Sequence, residues 1–600
     1  MRAVIRQKKL ERVFLFQIKG EYREMKRRIF VLTLLVALLV SVGVASAVEL
    51  LDPRVLDIEG DLGGSIGRYG GTMTVAGGAS GPKTYNPHRA AETSSTDVTD
   101  RIFEGLVTLH RDTGLVMPKL AREYEISEDG TEIIFHLRRG VQWHDGVEFT
   151  ADDVIFTFDV VYDVNVGSNS RSGLLIDGQP MQYEKIDDYT VKFTLPRPHA
   201  PIMFSIGTNI VPEHLLGDAF REGRYHEMWG LETDASEIVG TGAWRLSSYR
   251  IDQELVLVRN DNYYEFDTEG NRLPYLNRVI FRYYASTDTS TLAFFNGEFD
   301  YIGIPANQYP EYLDREPLSR WTIIEAGPNP GTTFIVLNQN PTTLPEPKLS
   351  WFSDVNFRQA LAHAVDKETI LDMAMNGKGY IQHSPINMRN AFFLKDDLKT
   401  YAYDLDEAHR KLEAAGYPLG ADGVRRDSQG NPIEFDLITN PGVPIRQISG
   451  ELFQEDLAAL GIKVNFQLID FNVVVEKLTS TFDWDAILIG LTGTFDPNGG
   501  SNTWLSSGNL HMWNPLQESP YTEWEAQIDE IWRAAQRAMD PEVRREYYYQ
   551  FQDIVAEQVP LFYTVASENM VAVRDHLMNA TPDLVSGSVG TAWNFIWIDR

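Results

Sequence analysis

Val141-Gln142-Trp143-His144-Asp145-Gly146-Val147-Glu148-Phe149-Thr150-Ala151-Asp152-Asp153-Val154 is the stretch on which the reading of this chain turns. Asp145-Gly146 is a turn signal. Neighbours on an extended segment point to opposite faces, so His144 and Asp145 read as turn residues and not as a metal or base–acid pair. Thr150 can cap a following helix, with Asp153 three residues on completing a capping box. Asp152 and Asp153 then occupy the first turn, where the helix dipole favours anions. Val154, Phe158 and Val161 repeat at helical spacing and form one apolar face.

Similar pieces recur outward from this stretch. Strands are predicted at Gly71–Ala76, Glu132–Leu137 and Thr190–Leu195, each alternating with period two. A turn-rich run, Gly77 to Pro82, follows the first. Further on, Asp354 caps a helix with the face Phe357, Leu361 and Ala364, and Asp404 caps another that Gly416 ends. Ile448, Leu452, Phe453, Leu457 and Leu460 form a helical stripe leading to a strand with Val464, Phe466 and Leu468. Asp540-Pro541 is a cap with proline at the first helical position, and Val543, Tyr547, Phe551 and Ile554 continue that helix to Val559-Pro560. Helices interleaved with short strands mean an α/β chain. Residues 48–68, rich in Asp and Gly, read as an unstructured lead-in. No internal repeat or low-complexity linker appears, so ordered crossings must join the parts, and Gly327–Gly331 is the best candidate for the first.

The chain has 600 residues, too many for one core, since single cores stop growing at roughly 250–300 residues. Two large lobes are therefore expected. Hydrophobic residues at 43% and aromatics at 11% are ample for packed interiors. A formal charge of −31 argues against a nucleic-acid role, which needs clustered Lys and Arg. At the N-terminus Lys26, Arg27 and Arg28 precede an apolar run, Ile29 to Val44, that ends in Ala45-Ser46-Ala47. This is the order of a cleaved secretory signal, with Met25 as the natural start. Cysteine is absent, which removes thiolate catalysis, Cys-based metal sites and a lipid-modified N-terminal Cys. No Gly-x-Ser-x-Gly elbow, P-loop or His-Glu-x-x-His occurs. Gly240-Thr241-Gly242 lacks the third glycine and following helix of a phosphate loop and reads as an ordinary turn. A glycosidase-like carboxylate pair needs only to meet in space, and nothing in the sequence specifically supports one.

Taken in order, several motifs resemble the family 5 extracellular solute-binding proteins, which include the oligopeptide-, dipeptide- and nickel-binding components of ABC importers. The likeness is carried by Gly70-Gly71-Thr72, Tyr85-Asn86-Pro87, Ile102-Phe103-Glu104-Gly105-Leu106, Pro118-Lys119-Leu120-Ala121 and the opening stretch. It continues through Gly240–Trp244, Asn262-Tyr263-Tyr264, Asn296–Asp300, Val355–Ile370, Ala414–Tyr417 and Leu460-Gly461-Ile462, and so spans nearly all of the chain beyond Gly70.

The resemblance implies a two-lobed, periplasmic-binding-protein-like α/β fold. The ligand cleft lies between the lobes, and an extra subdomain sits in the first. The expected division is a signal at 1–47, lobe I at 48–330 with an insertion at about 96–207, lobe II at 331–565, and a C-terminal return to lobe I at 566–600. The implied function is a secreted, non-enzymatic receptor, periplasmic or extracellular and monomeric, that uses no cofactor. It delivers a small ligand to the permease subunits of an ABC importer. An oligopeptide is the first expectation, a neutral oligosaccharide the second and a secreted hydrolase a remote third. Tyr85 and Asn86 correspond to one wall of the cleft. The opposite wall often carries Gly-Trp and then an Asp that pairs with a peptide amino group. Here it reads Gly490-Leu491-Thr492-Gly493-Thr494-Phe495-Asp496, with Leu491 in place of the Trp and Asp496 at an ambiguous spacing. Trp504, Trp513, Trp593 and Asn594 complete the candidate set, because flat aromatics beside amides also suit sugar rings.

Overall fold

The computed structural model describes residues 51–600 except Ala79, Ala91, Glu92, Ala285, Asn509, Leu516 and Arg600. The signal expected at 1–47 lies outside them. Two large sheets organise the rest. In the eight-stranded sheet the path runs Trp321–Pro328, Val565–Arg574, Tyr301–Gly303, Thr72–Ala76, Arg278–Arg282, Glu254–Arg259, Trp244–Arg250, and Gly379–Ile381 pairs with Val565–Arg574 off that path. The five-stranded sheet runs Lys463–Leu468, Glu434–Thr439, Ala486–Leu491, Thr332–Leu337, Leu561–Tyr563. A four-stranded antiparallel sheet is formed by Ala121–Ile126, Glu132–Leu137, Thr190–Thr194 and Gln182–Asp187.

The chain passes between the two large sheets twice, and the passes run side by side. Trp321–Pro328 lies in the eight-stranded sheet and Thr332–Leu337 in the five-stranded one, so the first pass falls within the predicted Gly327–Gly331. On the return only Thr564 separates Leu561–Tyr563 from Val565–Arg574. Thr564 is fully buried, and its N–H and hydroxyl both donate to the Thr333 carbonyl, at 2.9 and 3.1 Å. Asn329 N–H donates to the Ser567 carbonyl at 2.7 Å. A crossing so fully hydrogen-bonded is an ordered device and not a flexible tether.

The opening stretch folds as its sequence predicts. Thr150 caps the helix Ala151–Tyr162 in a capping box with Asp153, and Val154, Phe158 and Val161 are fully buried. Asp153 is itself buried, accepting from Thr150 N–H (3.0 Å), Glu213 N–H (3.0 Å) and Trp143 Nε1–H (3.2 Å). Trp143, 1% exposed, contributes roughly 4–6 kcal/mol of apolar burial. His144 accepts from Gly240 N–H at 3.1 Å and bonds the Gly242 carbonyl at 3.0 Å, pinning the turn to the next motif. Gly240 and Gly242 are glycines because a Cβ there would sit 1.8 Å from the Ile102 carbonyl and 2.5 Å from that of Arg101.

One expectation is corrected, and one helix buries a face that its apolar residues do not mark. From Leu51 on, the lead-in is ordered: Arg54–Leu56 pairs in parallel with Glu265–Asp267, and Ile58 is fully buried. The Arg54–Glu265 ion pair fastens this strand, a long-range contact that local composition does not show. The helix Pro541–Gln558 has the predicted cap, but its buried face is Arg544, Tyr548, Phe551, Gln552, Val555 and Ala556, while Val543 is 48% exposed. Polar Arg544 and Gln552 enter the interior because partners await them there, so the buried stripe lies one residue on from the apolar one.

Candidate ligand-binding site

A cavity of about 310 Å³ lies beside the crossing, on the face of the five-stranded sheet that carries Phe334 and Tyr563. Thr332, Phe334, Leu561 and Tyr563 form its floor, and the loop after Ala486–Leu491 forms its wall. That loop approaches the crossing as only glycine allows, since a Cβ on Gly493 would stand 1.7 Å from the Pro330 carbonyl. Its backbone is held by two amides: Asn387 Nδ2, itself on the lining, donates to the Thr494 carbonyl at 3.2 Å and Asn390 Nδ2 to that of Phe495 at 2.7 Å. The Thr494 hydroxyl donates to the Asp496 carbonyl at 2.8 Å, and Trp532 Nε1 donates to the Ser501 hydroxyl at 2.9 Å.

Among the described residues, the lining contains no charged side chain; its polar groups are amides, hydroxyls and backbone. Asp496 is buried behind the loop, with both carboxylate oxygens on Arg544 (2.5 and 2.6 Å). Burial alone would lower the Arg544 pKa, but Asp496 outweighs it and holds the guanidinium charged, above its ordinary range. Asp496 also accepts from Asn498 N–H at 2.9 Å. Its charge is therefore spent inside the protein.

The structure divides the ten sequence candidates. Leu491, Thr494 and Trp504 line the cavity. Gly490 precedes the wall, packed against the Thr332 carbonyl. Trp513 is buried, donating from Nε1 to Glu525 (2.9 Å) and packing 5.7 Å from the Trp504 ring, so it supports the cavity from behind. Tyr85 and Asn86 lie in the interior beside the eight-stranded sheet: Tyr85 N–H donates to the Trp229 carbonyl at 2.9 Å, and Asn86 Nδ2 reaches the Tyr225 and Met228 carbonyls. Trp593 is buried, donating to the Tyr301 hydroxyl at 3.1 Å. Asn594 lines a different cavity. Sequence reasoning missed Asn387, Trp532 and Tyr563, which enter from three separate segments and share no local pattern. A further hollow of about 440 Å³ flanks the crossing, and there Glu568, 9% exposed, accepts from Gly327 N–H at 2.5 Å.

The family model for bacterial extracellular solute-binding proteins, family 5, matches residues 116–511, more than half of the chain. The chain belongs to that family. These solute-binding proteins are receptors and not enzymes. A probable ABC transporter-binding protein of Deinococcus radiodurans is 27% identical over 72% of this chain and 76% of its own length. The oligopeptide-binding protein AppA of Bacillus subtilis is 24% identical over 85% of this chain and 89% of its own. The AppA structure, in complex with a nonapeptide, superposes with a TM-score of 0.68 at 23% identity, covering 89% of this chain and all of that one. That of the substrate-binding protein CtaP of Listeria monocytogenes gives 0.72 at 22%, with the same coverage. The fold of this solute-binding protein is thus the two-lobed one of the periplasmic binding proteins. No helix of its described residues is long and apolar enough to cross a membrane.

Proposed function

We propose that this solute-binding protein is exported, captures a peptide in the cavity beside the crossing, and delivers it to the permease subunits of an ABC importer. The uncharged cavity at the crossing carries this reading, because a ligand held there touches both the loop 491–500 and the strands that join the lobes. The lining lies almost wholly within 331–565, next to the crossing through Pro330 and Thr332, so a ligand seated there is placed where a hinge motion would be felt. The peptide class is supported by the relative named for oligopeptide binding. In this reading residues 1–47 are the signal, with Met25 as the start, and the mature protein acts as a periplasmic or extracellular monomer. Lobe I comprises 48–330, with an insertion at about 96–207, and 566–600; lobe II comprises 331–565. A neutral oligosaccharide is the second reading, favoured by the same uncharged lining and by Trp504.

Native mass spectrometry of the purified protein, before and after mild unfolding, tests both. A released peptide ladder supports the first reading, and hexose-spaced masses replace it with the second. Trp504→Ala is expected to weaken capture of the released ligand at least tenfold; unchanged affinity removes this cavity as the site. Asp496→Asn is expected to act on stability instead, costing about 3–5 kcal/mol because Arg544 is left buried and unpaired.

A further inference from the structure

A second cavity, of about 560 Å³, lies between the helix Thr93–Ile102, the strand Val107–Leu109 and the C-terminal segment 590–595. Its walls carry Asp100, Glu104 and Glu265, and each is already engaged. Glu265 is bonded by Arg54 and Lys119 and accepts from Asn594 Nδ2 at 3.0 Å. Glu104 takes Lys119 at 3.0 Å, the Tyr263 hydroxyl at 2.6 Å and the Thr241 hydroxyl at 3.3 Å. Asp100 accepts from Asn209 Nδ2 at 3.0 Å.

Two arginines, Arg101 and Arg111, lie on the same walls, and Arg111 is ion-paired with Asp112 at 3.4 Å. Arg101 makes no ion pair among the described residues, although Asp97 and Asp100 flank it on its own helix. Its guanidinium lies over the Trp593 ring at 4.6 Å, and its Nε is buried without a hydrogen-bond partner. Arg111 is 8% exposed and lies over the Phe595 ring at 5.5 Å. Its Nη2 donates to the Thr581 carbonyl (2.7 Å) and hydroxyl (3.2 Å), and its Nε stands 3.4 Å from Asp112 without hydrogen-bond geometry. The Arg111 Nη1 has no partner. The Nη1 and Nη2 groups of Arg101 also make no hydrogen bond among the described residues, and an unpaired guanidinium on a cavity wall marks what the cavity receives. The C-terminal segment also makes room for them, since a Cβ on Gly590 would fall 2.5 Å from Arg101 Nη2.

We propose that this cavity is a second ligand site, selective for an organic monocarboxylate. Arg101 holds its carboxylate by its Nη1 and Nη2 groups, whose planar fork matches that geometry, while Arg111 lines the same cavity. Phe103, Val107, Leu109 and Phe595 line space for an apolar body. The three wall acids disfavour a more highly charged guest such as phosphate.

Isothermal titration of the purified protein with benzoate and hexanoate, against benzamide, hexanamide and inorganic phosphate, tests the proposal. The carboxylates are expected to bind at least tenfold more tightly than their amides, and phosphate not to compete. Arg101→Gln should abolish that preference. Gly590→Ala, whose backbone tolerates a side chain, should weaken carboxylate binding without altering the far-UV spectrum, which guards against a misfolded Arg101 variant. Trp504→Ala, in the other cavity, should leave it unchanged. Equal binding of acid and amide, binding of phosphate alone, no binding at millimolar concentration, or an unaltered preference in both the Arg101 and Gly590 variants would each overturn the proposal.

Discussion

At the scale of single residues, burial decides protonation. His88 is fully buried, and desolvation of its charged form pushes its pKa down to about 4. Burial brings His144 to about 4 as well, against the hydrogen bond to Gly242 that favours the charged form. Each is neutral in the folded protein and, once unfolded, takes up a proton near its ordinary value of about 6.5. The unfolded state thus binds more protons between these values. The stability contributed is full above the unfolded value and is lost as pH falls from about 6.5 to about 4. For His88 the complete loss is on the order of 3 kcal/mol. Melting temperatures measured from pH 7.5 to 4.5 should fall through that window, and His88→Gln should flatten the slope. An equally steep slope in the variant would assign the loss to other groups.

At the scale of elements, short-range chemistry sets where helices begin. Thr150 and Asp153 share one capping box but differ in reach. Thr150→Ala removes a helix cap and should cost about 1 kcal/mol. Asp153→Ala also strands the buried Trp143 Nε1–H and the Glu213 N–H, and should cost about 2–3 kcal/mol. Urea unfolding with unchanged m-values would measure both, and equal costs would show that the Trp143 bond contributes nothing. The cap itself was legible because its partners lie within three residues. The buried face of Pro541–Gln558 was not, because periodicity reads polarity along the helix and cannot see Asp496, 48 residues away.

At the scale of the whole molecule, the side-by-side passes at Pro328–Thr332 and Thr564 join the two large sheets, and Arg389 fastens the first of them. Its guanidinium donates to the carbonyls of Pro328 (2.5 Å), Ala326 (2.6 Å), Gly327 (3.1 Å) and Leu584 (3.3 Å). Arg389→Ala should lower stability by about 2–3 kcal/mol and speed amide exchange at 327–331. Gly587→Ala should do the same, because its φ of +71° suits glycine and its Cβ would fall 2.2 Å from Arg389 Nη2. Unchanged exchange in both variants would deny Arg389 this role.

By itself the sequence determined what neighbours decide: the capping box at Thr150, the Asp-Gly turn, the first pass between the sheets, and the ordered motifs that carry the family likeness. Only the tertiary structure decided which polar groups remain free to meet a ligand. Asp496 looked available in sequence and is neutralised by Arg544, while Trp513, Tyr85 and Asn86 are turned inward. Leu491, Thr494 and Trp504 stay on a cavity wall, and Arg101 and Arg111 keep buried N–H groups unpaired. The reason is range. A cap or a turn is settled by atoms a few residues apart, whereas the fate of a charge depends on partners that only folding brings within hydrogen-bonding distance.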